Sequence, residues 1–184
     1  MLDIKDEKLK KIRVIDLLTH TGVFSNPFGD ACFHVNIVAQ RLGKELPLTL
    51  DDMVVYATQN RLRAVPGTWY KYSNLGYVVL SKVVEKTSGM DYETYMKDFI
   101  FAPASCFDMH LTENKKKNRN KNEVAYYEPN EAEKYPASDG SGRIVYKSNG
   151  GNDIKLLYGA GAWCGSAAEI LRFVSAIDND VAVK

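Results

Sequence analysis

Pro66-Gly67-Thr68-Trp69-Tyr70-Lys71-Tyr72-Ser73-Asn74-Leu75-Gly76-Tyr77 joins a turn to a helix. Pro-Gly favours the turn, and Ser73 or Asn74 can cap a helix whose apolar run begins at Leu75. Tyr72 then stands on a bend just ahead of a helix N-terminus, with Asn74 two residues on. A phenol and a carboxamide so placed can project into one cleft. The same residues also suit a plain cap between buried aromatics, and both readings stand at this point.

Downstream, residues 75–88 are apolar around most of a helical circumference. Leu75, Val79 and Val83 form one row, and Leu80, Val84 and Thr87 the next, with a narrow wet stripe at Lys82, Glu85 and Lys86. Such a helix belongs at the centre of a core. Gly89 ends it. Asp91 caps a successor with Met90 and Tyr95 as its hydrophobic staple, and that helix runs until Pro103.

Upstream, Thr49 and Asp52 make a capping box, Leu48 and Met53 a staple, and Leu50, Met53, Val54 and Ala57 the inner stripe of another helix. Val14, Leu17, Leu18 and Thr21 suggest a short helix stopped by Gly22. Residues 1–11 read as a solvated lead-in, and 23–46 carry turn signals at Asn26-Pro27 and Gly43 without a firm assignment.

Residues 112–157 change character. Asn114 to Asn122 is a basic, polar run without interleaved aromatics, flanked by Glu113 and Glu123, and reads as a solvated loop rather than a nucleic-acid surface. Val124–Tyr127 and Arg143–Tyr146 are candidate short strands around the turn formers 139–142. Gly159-Ala160-Gly161 leads to a helix capped by Ser166 and Glu169, with Ile170, Phe173, Val174 and Ile177 as its expected buried face. The glycines lack G-x-G-x-x-G spacing, so close backbone packing is their expected purpose.

Composition narrows the classes. Twenty-four basic against 23 acidic residues leave a formal charge of +1, which argues against a polyanion binder. No apolar run is long enough to span a bilayer, and Met1–Lys5 lacks a signal peptide's apolar segment. Cys32, Cys106 and Cys164 do not suggest a disulfide framework. Neither Cys32 with His34 nor Cys106 with His110 has a zinc-site spacing, so no metal and no cofactor is expected.

Three segments, in order, resemble the serine β-lactamase-related family of class C β-lactamases, D-alanyl-D-alanine carboxypeptidases and related esterases. Val14-Ile15-Asp16-Leu17-Leu18-Thr19-His20-Thr21-Gly22 is similar to its "LLTHTSG" segment. Pro66 to Tyr77 looks like its "PGT…YSNxGY" block. Residues 159–173 resemble its "AGGLxSTAEDLxRF" segment. The resemblance spans about 14–177. It implies a mainly α chain with a few short strands, the helical lobe of the α+β serine β-lactamase/transpeptidase-like fold. Residues 1–184 would form a single, partial domain with a polar loop or hairpin excursion at about 112–157.

The chemistry so implied is acyl transfer through a serine in an S-x-x-K motif. By resemblance Tyr72 is the acid/base candidate and Asn74 the group that binds the substrate amide. A β-lactam, a D-Ala peptide or an ester is the implied substrate, and the cell envelope or periplasm the implied location. No serine of this chain satisfies S-x-x-K, and His20-Thr21-Gly22, Lys86-Thr87-Ser88 and Ser138-Asp139-Gly140 do not serve as the family's K-T-G or S-D-N elements.

Moving a phenol from pKa about 10 to near 7 takes roughly 4 kcal/mol, more than a helix N-terminus supplies. Without the motif lysines Tyr72 is expected to keep its proton. An internal fragment is therefore expected, inactive alone, whose partner is the missing sheet lobe and whose uncovered apolar surface favours self-association. The rival reading is a non-catalytic module that binds cell-wall peptide or a protein. No nucleic acid and no membrane segment enter either.

Overall fold

The computed structural model describes residues 4–24, 27–129 and 131–179. Its elements are α1 (Val14–Leu18), α2 (Val35–Leu42), α3 (Leu50–Gln59), α4 (Asn74–Ser88), α5 (Tyr92–Met96), β1 (His110–Leu111), β2 (Lys134–Pro136), β3 (Ile144–Tyr146), β4 (Trp163–Cys164) and α6 (Ala167–Asp178). The strands form two small antiparallel ladders, β1 with β4 and β2 with β3. The chain is thus mainly helical with a few short strands, as its sequence leads one to expect.

Helix α4 is the axis of the core. The Ser73 hydroxyl accepts the Gly76 amide, and Gly89 stops the helix in the left-handed region at φ 71°. Leu75, Val78 and Ser81 are the deepest residues, and only Lys86 and Thr87 stand out in solvent. The deepest row therefore runs through Val78. Val79 and Val83 instead line an apolar groove of about 260 Å³ with Leu9, Ile12, Leu17 and Val54.

The helix at 49–59 follows its sequence signals closely. Thr49 and Asp52 close the capping box, and Leu48 and Met53 are both buried. Asp91 caps α5 through the Thr94 amide, and the helix widens into a π turn over Lys97–Phe101 before Pro103.

Four expectations change. Helix α1 ends at Leu18, not Gly22: His20 takes the left-handed position at φ 57°, and the Thr21 and His20 amides close on the Asp16 and Leu17 carbonyls. This is a Schellman end in which histidine occupies the place usually held by glycine. The unassigned stretch contains α2, ended by Gly43 at φ 63°. The Asn26-Pro27 turn rests on Asn26, which lies outside the described residues. Residues 124–127 form no strand, and β3 pairs with β2, where Tyr135 faces Val145 across the turn formers 139–142. The lead-in is only partly solvated, since Asp6 accepts the Leu62 amide and Leu9 packs on the core.

Helix α6 departs furthest. Ser166 caps it through the Glu169 amide, but the Glu169 carboxylate turns away to the Asp108 amide. Glu169 and Ala176 are buried, whereas Ile170, Val174 and Ile177 are 51, 48 and 45% exposed. The neighbours supplied by the described residues, Phe101, Ala104, Cys106 and Met109, meet α6 through Ala176 and Phe173. The expected inner face is thus left open.

The glycine-rich approach works as expected at Gly159, where the 3-10 segment Ile154–Ala160 crosses α4. A Cβ there would fall against the Tyr77 carbonyl oxygen and 2.9 Å from the Ser81 Cβ. Gly159→Ala should destabilise the protein by about 1–3 kcal/mol through this overpacking, read as a lower urea midpoint at unchanged slope.

Candidate active site

The expected cap forms at the start of α4, and it pulls in two distant loops. The Asn74 backbone amide and its Nδ2 both donate to Asp30 Oδ2, at 2.9 and 3.2 Å. The other oxygen of Asp30 accepts the Cys32 amide at 3.0 Å. A carboxylate at a helix N-terminus satisfies an amide that has no partner inside the helix and matches the helix dipole.

Asp30 also fixes the orientation of the Asn74 amide. A carboxylate only accepts, so Nδ2 faces Asp30 and Oδ1 faces outward. The Tyr72 hydroxyl lies 2.9 Å from that Oδ1 and must donate to it. The two residues singled out by sequence are therefore joined by a hydrogen bond that Tyr72 donates.

The second loop is the end of α1. The His20 carbonyl accepts the Lys71 amide at 2.7 Å, and His20 Nδ1 accepts the Ser73 amide at 3.2 Å. The imidazole lies against Tyr72 and Tyr77, with ring centroids 4.5 and 5.0 Å apart, and meets Tyr70 edge-on. The Tyr77 hydroxyl donates to the Leu18 carbonyl. His20 thus positions the Tyr72–Asn74 bend, and its left-handed backbone aims both its carbonyl and its ring there. His20-Thr21-Gly22 lies in the turn that ends α1.

The turn ahead of the bend is held from below. Gly67, at φ 82°, donates its amide to the Thr21 carbonyl, and a Cβ on it would sit 3.2 Å from both Arg13 Nη2 and Asp16 Oδ1. Asp16 is buried and binds the Arg13 guanidinium and backbone amide. These hydrogen bonds, the side-chain ones foremost, hold its carboxyl below the usual aspartate value. Burial, and then the Arg63 charge, lower the Lys71 ammonium.

Tyr72 is 55% exposed and Asn74 only 7%. The phenol stands on an open face over a buried amide. Neither the 260 Å³ groove nor a second cavity of about 410 Å³ is lined by Tyr72. Among the described residues no lysine or arginine hydrogen-bonds its hydroxyl. Around Tyr72 the described residues form an open face rather than an enclosure.

Sequence reasoning missed Asp30 and the positioning part of His20. Asp30 had a cap-type signal ahead of Ala31, but nothing local pointed to a partner 44 residues away. Cys32 is buried, with its thiol pushed well up by burial above all. Cys106 lies inside a second apolar cluster, its Sγ donating to the Glu169 carbonyl.

Comparison with known proteins places the chain in a family and a fold. The Beta-lactamase family model matches residues 4–184. The chain belongs to that family. Within it, the chain is 30% identical over 138 residues to a putative penicillin-binding protein, PbpX, of Bacillus subtilis (strain 168), covering 71% of this chain and 29% of that protein. It is 28% identical over 104 residues to a putative D-alanyl-D-alanine carboxypeptidase of Salmonella schwarzengrund, covering 55% and 23%.

The fold matches two solved structures of the same kind. The octameric penicillin-binding protein homologue of Pyrococcus abyssi has TM-score 0.57 at 23% identity, over 94% of this chain and 36% of that one. The D-amino acid amidase of Ochrobactrum anthropi has TM-score 0.62 at 19% identity, over 97% and 46%. This β-lactamase-family chain therefore spans less than a third of the two relatives compared by sequence.

The ion pair beneath the turn gives a pH prediction. A carboxyl with a lowered folded-state pKa adds stability that is present above about pH 4 and is lost as pH falls through the folded value. Thermal melts from pH 7 to 2.5 should show Asp16→Asn less stable than wild type at pH 7. The gap should close below pH 4, and a pH-independent gap would contradict the assignment.

Proposed function

We propose that Tyr72 and Asn74 carry the proton-transfer and amide-binding parts of a serine-type acyl-transfer site. The observation behind this is the chain of hydrogen bonds Tyr72–Asn74–Asp30 at the N-terminus of α4. A buried amide clamped by a half-buried carboxylate is preorganised, so it orients a substrate without reorganising at the moment of reaction. The exposed hydroxyl above it lies where a substrate can reach.

The substrate class in this reading is an acylated D-amino acid, an amide or peptide of the D-Ala kind, with β-lactams and esters as its chemical analogues. The names of the carboxypeptidase and amidase relatives support that class. The penicillin-binding protein and carboxypeptidase relatives support placement in the cell envelope. Among the described residues no helix is long and apolar enough to cross a membrane.

The Tyr72 hydroxyl donates to Asn74 Oδ1, so in this arrangement it is not set to take a proton from an attacking alcohol. The 184 residues hold no S-x-x-K serine to attack and no lysine from that motif. In this reading the chain binds and orients but does not turn over. That favours, as a second reading, a module that binds cell-wall peptide without cleaving it.

Two measurements on the purified chain test this together. A chromogenic cephalosporin and a nitrophenyl ester should release no product above buffer. An N-acyl-D-Ala-D-Ala peptide titrated into ¹⁵N-labelled protein should shift the amides of Tyr72, Ser73 and Asn74, and Asn74→Ala should weaken binding about tenfold or more, some 1.4 kcal/mol. Turnover abolished by Tyr72→Phe would contradict the inactivity, and a peptide that leaves these amides unmoved would overturn the site itself.

A further inference from the structure

A second constellation lies on the β1–β4 ladder, apart from the residues assigned to acyl transfer. His110 and Cys164 are register partners, so their side chains leave the same face of the ladder. Glu123 arrives from the segment after the basic run. One ligand-type atom from each of His110, Glu123 and Cys164 lies within 4.8 Å of the other two. His110 Nε2 is 3.3 Å from Glu123 Oε2. Tetrahedral zinc, with bonds of about 2.0–2.3 Å, sets its ligand atoms roughly 3.3–3.6 Å apart.

The hydrogen bonds settle which atoms are available. His110 Nδ1 is 2.8 Å from the Asp108 carbonyl oxygen, which can only accept, so Nδ1 carries a hydrogen. In the neutral ring Nε2 then presents a lone pair to a carboxylate oxygen. Two lone pairs face each other at this distance only with a cation between them, a proton or a metal ion. The other carboxylate oxygen is already engaged: Oε1 accepts from the Thr112 hydroxyl and lies 3.8 Å from Arg119 Nε. A histidine oriented by a carbonyl and a carboxylate oriented by a hydroxyl are the outer contacts that metal ligands show.

We propose that His110, Glu123 and Cys164 form a site for a divalent transition metal, zinc foremost. Imidazole nitrogen, carboxylate oxygen and thiolate sulfur all suit zinc, and the two anionic ligands balance its charge. Binding displaces the Cys164 thiol proton to solvent. The Arg119 guanidinium is held in place by the Glu113, Asn114 and Ser148 carbonyls, beside Glu123 Oε1 rather than the Oε2 that faces His110. Cys164 lines the 410 Å³ cavity together with Thr112, Arg119 and Tyr126, and the Tyr126 hydroxyl lies 3.5 Å from the Cys164 sulfur.

Cobalt(II) added to the metal-free 184-residue chain tests this directly. One equivalent should bind with a thiolate-to-cobalt charge-transfer band in the near ultraviolet, and zinc should displace it. Cys164→Ser should abolish the band, and Glu123→Gln should weaken binding at least about tenfold, each with the circular dichroism of wild type. Should a variant unfold, wild-type protein decides alone: zinc should shield Cys164 from iodoacetamide, mapped by peptide mass. No charge-transfer band together with unchanged alkylation would overturn the proposal, as would binding that a folded Cys164→Ser retains in full.

Discussion

The first turn of a helix leaves backbone amides with no partner inside it, and here that requirement organises the molecule. At α4 the Ser73 hydroxyl takes the Gly76 amide, Asp30 takes the Asn74 amide, and the His20 ring takes the Ser73 amide. Each partner arrives on a different loop. Satisfying one helix end therefore brings the end of α1, the 27–34 loop and the Tyr72 bend to one place. The orientation of the Asn74 amide, and with it the donor state of Tyr72, follows from the same carboxylate. At the next turns Gly159 lets the 3-10 segment Ile154–Ala160 lie directly on the α4 backbone. The first and third segments that resemble the family thus contact one helix, and the second opens it.

The elements legible in the sequence were those with a local cause. Thr49 with Asp52, Ser73 ahead of Leu75, and Asp91 after Gly89 are caps whose partners lie three or four residues away. The α4 pattern, apolar nearly all round, announced a buried helix. What sequence could not give was pairing over distance. Asp30 meets Asn74 across 44 positions, His110 meets Cys164 across 54, and no spacing rule reaches that far. The α2 region failed for a different reason: its short helix lies within a loop-rich stretch where turn signals dominate.

The α6 misreading shows what periodicity does and does not say. Ile170, Val174 and Ile177 recur at helical spacing, which states that a face is fit to be covered. It does not state what covers it. In the structure the buried positions are Glu169 and Ala176, the first because its carboxylate serves the Asp108 amide. At 19–23% identity the solved relatives share the fold, and the candidate site rests on this chain's own geometry.

Amide hydrogen exchange at Lys71, Ser73 and Asn74 reads the central claim most directly, since the three N–H groups end on the His20 carbonyl, the His20 ring and Asp30. Protection comparable with the middle of α4 is the predicted result. Exchange at the rate of an open loop, beside a protected α4, would contradict the account.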